Sequence, residues 1–212
     1  MKPFQSLRGL VATLDRANVD TDQIIAKQFL KSIARTGFGP QLFYDWSTRA
    51  DGTPDPSFPL NEKRFQGASI LIAKNNFGCG SSREHAVWAI QQAGYNVVIA
   101  PLVEMNGVKI PAFADIFRNN SFKNALLTIE LSEAEVNKIF ELVDRTPGLE
   151  ATVNLDEQRV VLHLPEEVSF HFEIDKAVKE RLIHGLDDIA LTLKQEADIT
   201  TFEKTHDVQL AR

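Results

Sequence analysis

Ser69-Ile70-Leu71-Ile72-Ala73-Lys74-Asn75-Asn76-Phe77-Gly78-Cys79-Gly80-Ser81-Ser82-Arg83-Glu84-His85 joins three kinds of text in one short stretch. Ser69 to Ala73 is the apolar run of a buried strand, and Glu84 to Gln92 has helical character that ends at Gly94. The order strand, glycine turn, helix predicts an α/β core. Gly78 and Gly80 permit backbone conformations closed to other residues, and the free amides of a first helical turn favour a bound anion. Ser81, Ser82 and Arg83 add two hydroxyls and a guanidinium to that junction.

Working outward, Leu7 to Leu14 alternates loosely as a strand, Asn96 to Ala100 reads as another buried strand, and Ala125 to Leu131 as a further one. Between the last two lie a loop from Pro101 to Lys109 containing Asn106-Gly107 and a short helix around Phe113 to Phe117. Ser132 and Glu135 spell a capping box for a helix running to about Asp144, which Pro147-Gly148 stops. A β-rich section, about 150–174, follows as Ala151 to Leu155, Arg159 to Leu164 and Ser169 to Ile174. Asp175 caps a helix ending near Gly185, Leu186 to Lys194 forms the last helix, and beyond Gln195 the chain turns polar. The expected organisation is one domain over residues 1–212 with a helical tail of about 175–212. The stretch from Arg35 to Asn61 is rich in Gly, Pro, Asp and Ser, with Phe38, Phe43, Tyr44 and Trp46 embedded in it. Two readings fit it equally: a lid or partner surface, and an ordered loop pinned by its aromatics.

A chain of 212 residues holds one substantial core, and its formal charge of -6 argues against a nucleic-acid surface. No apolar run is long enough to cross a bilayer, and Met1 leads directly into strand-like text, so a cytoplasmic location is the expectation. Cys79 is the only cysteine, so no intrachain disulfide and no thiolate-held zinc or iron–sulfur site can be built from this chain alone. His85, His163, His171, His184 and His206 are scattered without metal-site pairing, and no metal ligand is expected among them.

The chemistry that the residues of the loop suggest is carboxylate binding. Amides and Arg83 would hold a carboxylate and leave a serine oxygen beside the adjacent carbon, an arrangement suited to hydroxy acids. Removing a proton there sends negative charge into the carboxylate, and fixed positive groups lower the barrier if they face it. Simple N-capping by Ser81 and Ser82, with Glu84 and His85 as first-turn residues, is the competing reading. A phosphate loop would need a lysine and a full glycine spacing that Gly78 to Arg83 lacks, and Cys79 as a nucleophile has no orienting third group. Asp20-Thr21-Asp22 reads either as a helix cap or as carboxylates that orient site groups.

Asn18-Val19-Asp20-Thr21-Asp22-Gln23-Ile24-Ile25, Gly78 to His85 and Phe113-Ala114-Asp115-Ile116-Phe117 together resemble the small-subunit family of bacterial 3-isopropylmalate dehydratase, in the aconitase superfamily. The resemblance implies the superfamily's α/β swivelling domain, a β/β/α layer that closes over a large subunit. It implies a [4Fe–4S] cluster carried by that cluster-bearing partner and none bound by this chain, and an alkylmalate substrate isomerised by dehydration and rehydration in leucine biosynthesis. Ser81 would be the base and Arg83 the carboxylate anchor, with Ser82 and the Gly80 amide binding substrate. Asp20, Thr21, Asp22 and His85 would support them. In the region after the Asp-Thr-Asp knot, Phe29, Leu30, Lys31 and Ile33 would meet the substrate's variable substituent. A related alkylmalate or homoaconitate, or a non-catalytic role stabilising the partner, are the alternatives. Two departures from the family pattern stand out: about ten extra residues between the Ile-Ala-Pro strand and the Phe-Ala-Asp-Ile-Phe segment, with Ala112 at a serine position, and Val87 in place of a proline.

Overall fold

A computed structural model describes residues 1–31, 34–81 and 83–205. Ile33, Ser82 and His206, named above, lie outside the described residues. Strand β1 (Ser6–Leu14) is the seam of the molecule. Its first half, Ser6 to Leu10, pairs antiparallel with β6 (Glu150–Asn154), while Val11 to Leu14 pair parallel with β2 (Ile70–Ala73). One strand thus belongs to two sheet regions of different character.

On the parallel side, β2 is followed by β3 (Val97–Met105) and then β5 (Leu127–Ser132). All four residues of β2 and the first five of β3 are buried, as expected of strands covered on both faces. Helix α3 (Glu84–Gln92) crosses from β2 to β3 and turns Ala86, Val87, Ala89 and Ile90 inward; Val87 is thus a core residue. Helix α4 (Asp115–Lys123) crosses from β3 to β5, and α5 (Glu133–Arg145) buries Val136, Ile139 and Val143. The capping box at Ser132 is formed with Glu135 as the spacing predicts, and supplies partners for amides that the helix itself leaves open.

On the antiparallel side, β6, β7 (Arg159–Leu162) and β8 (Val168–His171) form a meander. Helix α6 (Lys176–His184) begins at the Asp175 cap and ends at Gly185 in the left-handed region. Helix α7 (Asp188–Leu193) is held by Asp188 to Arg181 and Lys123. Beyond Gln195 the chain is more regular than its polarity suggests, and Glu196–Thr205 forms helix α8.

Two stretches that sequence leaves irregular have definite structure. Between Arg35 and Asn61 the chain is pinned: Phe38, Phe43 and Phe58 are buried, Phe43 stacks on Trp46, and Tyr44–Ser47 forms a short helix, α2. Gln92 at the end of α3 accepts from the Phe38 amide and donates to the Arg35 carbonyl, fastening the excursion to the core. The stretch of 101–109, expected as a loop, is instead a hairpin. β3 runs on to Met105, turns at Asn106-Gly107 and returns as β4 (Val108–Ile110). Both turn residues have positive φ, 54° and 75°, as a two-residue turn with the twist of its strands requires.

Candidate active site

The three segments that carry the resemblance meet beyond the carboxyl ends of the parallel strands, where α/β sheets place their ligand sites. β1 leads to Asn18–Asp22, β2 opens into Lys74–Arg83, and the chain after β4 comes back as Pro111–Ala114. The contacts between them are backbone hydrogen bonds. Gly78 and Cys79 amides both donate to the Val19 carbonyl, and Thr21 N donates to the Cys79 carbonyl at 2.9 Å. On the other side Asn76 and Phe77 donate to Pro111 and Ala112, and Ala114 donates back to Phe77. The loop of 75–79 is therefore laced to both neighbours, and its shape is imposed by residues about 60 positions earlier and 35 later.

Two glycines make that close approach possible. Gly78 has φ +75°, and a Cβ there would stand 2.2 Å from the Phe117 ring; Gly80 has φ +83°, and a Cβ would stand 2.2 Å from a carboxylate oxygen of Asp20. Phe117 with Phe77 and Phe113 forms the apolar floor under the turn. Asp20 does two jobs: it caps α1 (Thr21–Ile24) in a capping box with Gln23, and its carboxylate lies against Gly80. The helix-cap reading of the Asp-Thr-Asp knot holds.

Thr21 is buried and its hydroxyl donates to the Ser81 carbonyl, fixing the residue's backbone from below. The Ser81 hydroxyl forms no hydrogen bond with a described residue, and Ser81 is exposed. Simple capping by Ser81 does not describe this loop: the N-cap of α3 is Arg83, extended at φ -140° and ψ 116°, with no side-chain cap bond. Arg83 Nε donates to Asp22 Oδ1 at 3.1 Å, and Lys27 Nζ stands 3.2 Å from Asp22 Oδ2. One carboxylate thus sits between two cations and orients the guanidinium. Both Arg83 and Asp22 side chains are about 30% exposed, at 30% and 28%, so the pair is open to solvent from one side.

Cys79 is half-buried, and burial followed by the nearby Asp20 charge pushes its thiol up from its ordinary value. Such a group stays protonated at neutral pH, which argues against a nucleophile. Among the described residues His85 has no carboxylate partner. Its ring meets Phe38 edge-on at 5.2 Å and Trp88 at 4.9 Å, tying α3 to the excursion. Phe29, Leu30 and Lys31 lie on a 3₁₀ turn, Lys27–Lys31, whose first residue is the Lys27 that binds Asp22. Phe29 and Leu30 are half-buried, with Phe29 edge-on to Tyr44 at 5.0 Å, and Lys31 is exposed. The knot, the turn and the loop form one connected patch. Lys27 as a partner of Asp22 is not among the sequence-based expectations; a spacing of five residues across the end of a short helix carries no periodic signal.

Residues 1–134 match the Aconitase C-terminal domain family, and residues 188–209 match the C-terminal domain family of the 3-isopropylmalate dehydratase small subunit. The 3-isopropylmalate dehydratase small subunit of Desulforapulum autotrophicum is 58% identical over 203 residues, covering 96% of this chain and 95% of that protein. This chain belongs to the 3-isopropylmalate dehydratase small-subunit family. The crystal structure of 3-isopropylmalate dehydratase (LeuD) from Methanocaldococcus jannaschii has the same fold, with a TM-score of 0.60 at 24% identity, over 92% of this chain and 98% of that one. As a small-subunit family member, the chain has a large-subunit partner. Among the described residues no helix is long and apolar enough to cross a membrane.

Proposed function

We propose that this chain supplies half of the active site of a 3-isopropylmalate dehydratase, interconverting 2-isopropylmalate and 3-isopropylmalate by loss and return of water in leucine biosynthesis. The observation that carries the reading is the single loop on which an open Ser81 hydroxyl and an Asp22-oriented Arg83 stand two residues apart. In this reading Arg83 and the Gly80 amide hold the substrate carboxylate. Ser81 takes the proton from the carbon beside it, hydroxide leaves the neighbouring carbon, and water adds back with the positions of H and OH exchanged. Isopropylmaleate is the intermediate.

A serine oxygen accepts such a proton only where positive charge and exclusion of water stabilise its anion. Arg83 supplies part of that charge, and the exposure of Ser81 leaves the exclusion of water to a second surface. That surface belongs to the large subunit in this proposal. Residues fitted to an iron–sulfur cluster are not found here: Cys79 is the only cysteine, and among the described residues no three of His, Cys, Asp and Glu gather as a ligand set. The [4Fe–4S] cluster implied by the family is therefore assigned to the large subunit, where it would supply Lewis-acid chemistry. Phe29 and Leu30 offer apolar surface for the isopropyl group, with Ile33 in the same segment, and Lys31 borders them.

The test is reconstitution. The chain mixed with a cluster-loaded large subunit should generate isopropylmaleate absorbance from 3-isopropylmalate, and neither protein should do so alone. Turnover of homoaconitate or a different alkylmalate in preference to 3-isopropylmalate would overturn the substrate assignment.

A further inference from the structure

The β3–β4 hairpin ends in an apolar tip with no described function. Strand β3 pairs with β2 only to Ile99 and with β5 only to Leu102, yet continues to Met105, about 10 Å past its last parallel partner. Register places Val103 opposite Ile110 and Met105 opposite Val108, so alternation puts these four apolar side chains on one face. Glu104 and Lys109, also directly opposed, take the other face as a pair of opposite charges. At the base Val103 is buried; at the tip Met105 is 58% exposed and Val108 63%. The apolar stripe runs out of the core into solvent.

The arm extends beyond the same strand ends from which the Ser81 loop emerges, and its return strand feeds Pro111 and Ala112, which accept from Asn76 and Phe77 of that loop. A second subunit that closes over Ser81 and Arg83 approaches this end of the sheet. We propose that the hairpin is a docking arm whose Met105–Val108 face packs on an apolar surface of the large subunit beside the shared site; this rests on the functional reading above. The two-residue turn and its paired strands keep the arm in its bound shape before association, which reduces the ordering cost of binding.

The experiment measures the affinity of the full chain for the purified cluster-bearing large subunit by calorimetry, comparing wild type with the double variant Met105→Glu, Val108→Glu. Burial of two such side chains contributes about tenfold or more to affinity. The variant should bind at least fivefold more weakly, melt at the wild-type temperature, and recover wild-type kcat at saturating large subunit. A smaller loss of affinity overturns the docking arm. Should the glutamates lower the melting temperature, Met105→Gln with Val108→Thr is scored on the same fivefold threshold. A wild-type chain that sediments alone as a dimer and that the variant dissociates would assign the face to a second copy and overturn the proposal. Absence of wild-type binding sinks the functional reading together with the arm, whereas tight wild-type binding with unaltered variant affinity sinks the arm alone.

Discussion

Arg83 donates from Nε to Asp22 Oδ1 at 3.1 Å across 61 positions of sequence, and the other oxygen of the same carboxylate lies 3.2 Å from Lys27. A guanidinium held at Nε has its fork fixed in direction, which a free lysine-like cation would not.

Asp22→Asn should therefore lower kcat/KM of the reconstituted enzyme by about tenfold to a hundredfold, mostly by misplacing Arg83. Stability should fall by under about 1 kcal/mol, because a partly exposed ion pair contributes little. Arg83→Lys should not restore function to the variant. Steady-state kinetics with a thermal melt read both effects, and an activity loss matched by an equal loss of folded protein would contradict the orienting role.

Gly80→Ala should distort the loop. The added Cβ would stand 2.2 Å from an Asp20 oxygen at a backbone φ of +83°, and left-handed strain alone costs about 1–2 kcal/mol. A melting temperature lowered by several degrees with near-complete loss of turnover is expected, and wild-type behaviour would contradict the described packing.

Cys79 should be slow to alkylate. Burial and the Asp20 charge raise its pKa above the ordinary 9.0, so thiolate is scarce at pH 7 and grows only as pH climbs past that value. Iodoacetamide labelling followed by mass spectrometry across pH 7 to 10 measures this. Cys79→Ser should keep turnover, since the thiol has no part in the proposed chemistry.

Tyr95 ties stability to alkaline pH. Its hydroxyl is pushed from 10.0 to about 12 by burial. A folded-state pKa raised above the unfolded value favours the neutral folded form, so the contribution is complete below pH 10 and is lost as pH rises toward 12. A shift of that size corresponds to at most about 3 kcal/mol. Denaturant melts between pH 9 and 12 should show the decline, and Tyr95→Phe should flatten it.

Much of this fold is legible because local signals agree with their surroundings: the buried strands at Ile70 and Val97, the Ser132–Glu135 box and the Asp175 cap each announce themselves within a few residues. The hairpin reads as a loop in sequence although Asn106-Gly107 is a strong turn signal, because the Pro101 and Pro111 that flank it suggest irregular chain. The site is legible only in part. The family resemblance singles out Ser81 and Arg83, but a hydrogen-bond partner 61 positions away cannot be read from periodicity, and neither can the rotation of His85 into the Phe38–Trp88 cluster. Reading Ser81 as a cap fails for a local reason: Arg83 starts the helix, two residues further on than the serine.

The central claim is that Ser81 moves the proton in a site completed by another subunit. Ser81→Ala should assemble with the large subunit at wild-type affinity, leave the melting temperature unchanged, and lower kcat for 3-isopropylmalate by about a hundredfold or more, the usual contribution of a positioned base. An assembled Ser81→Ala complex that turns over at the wild-type rate would contradict the account.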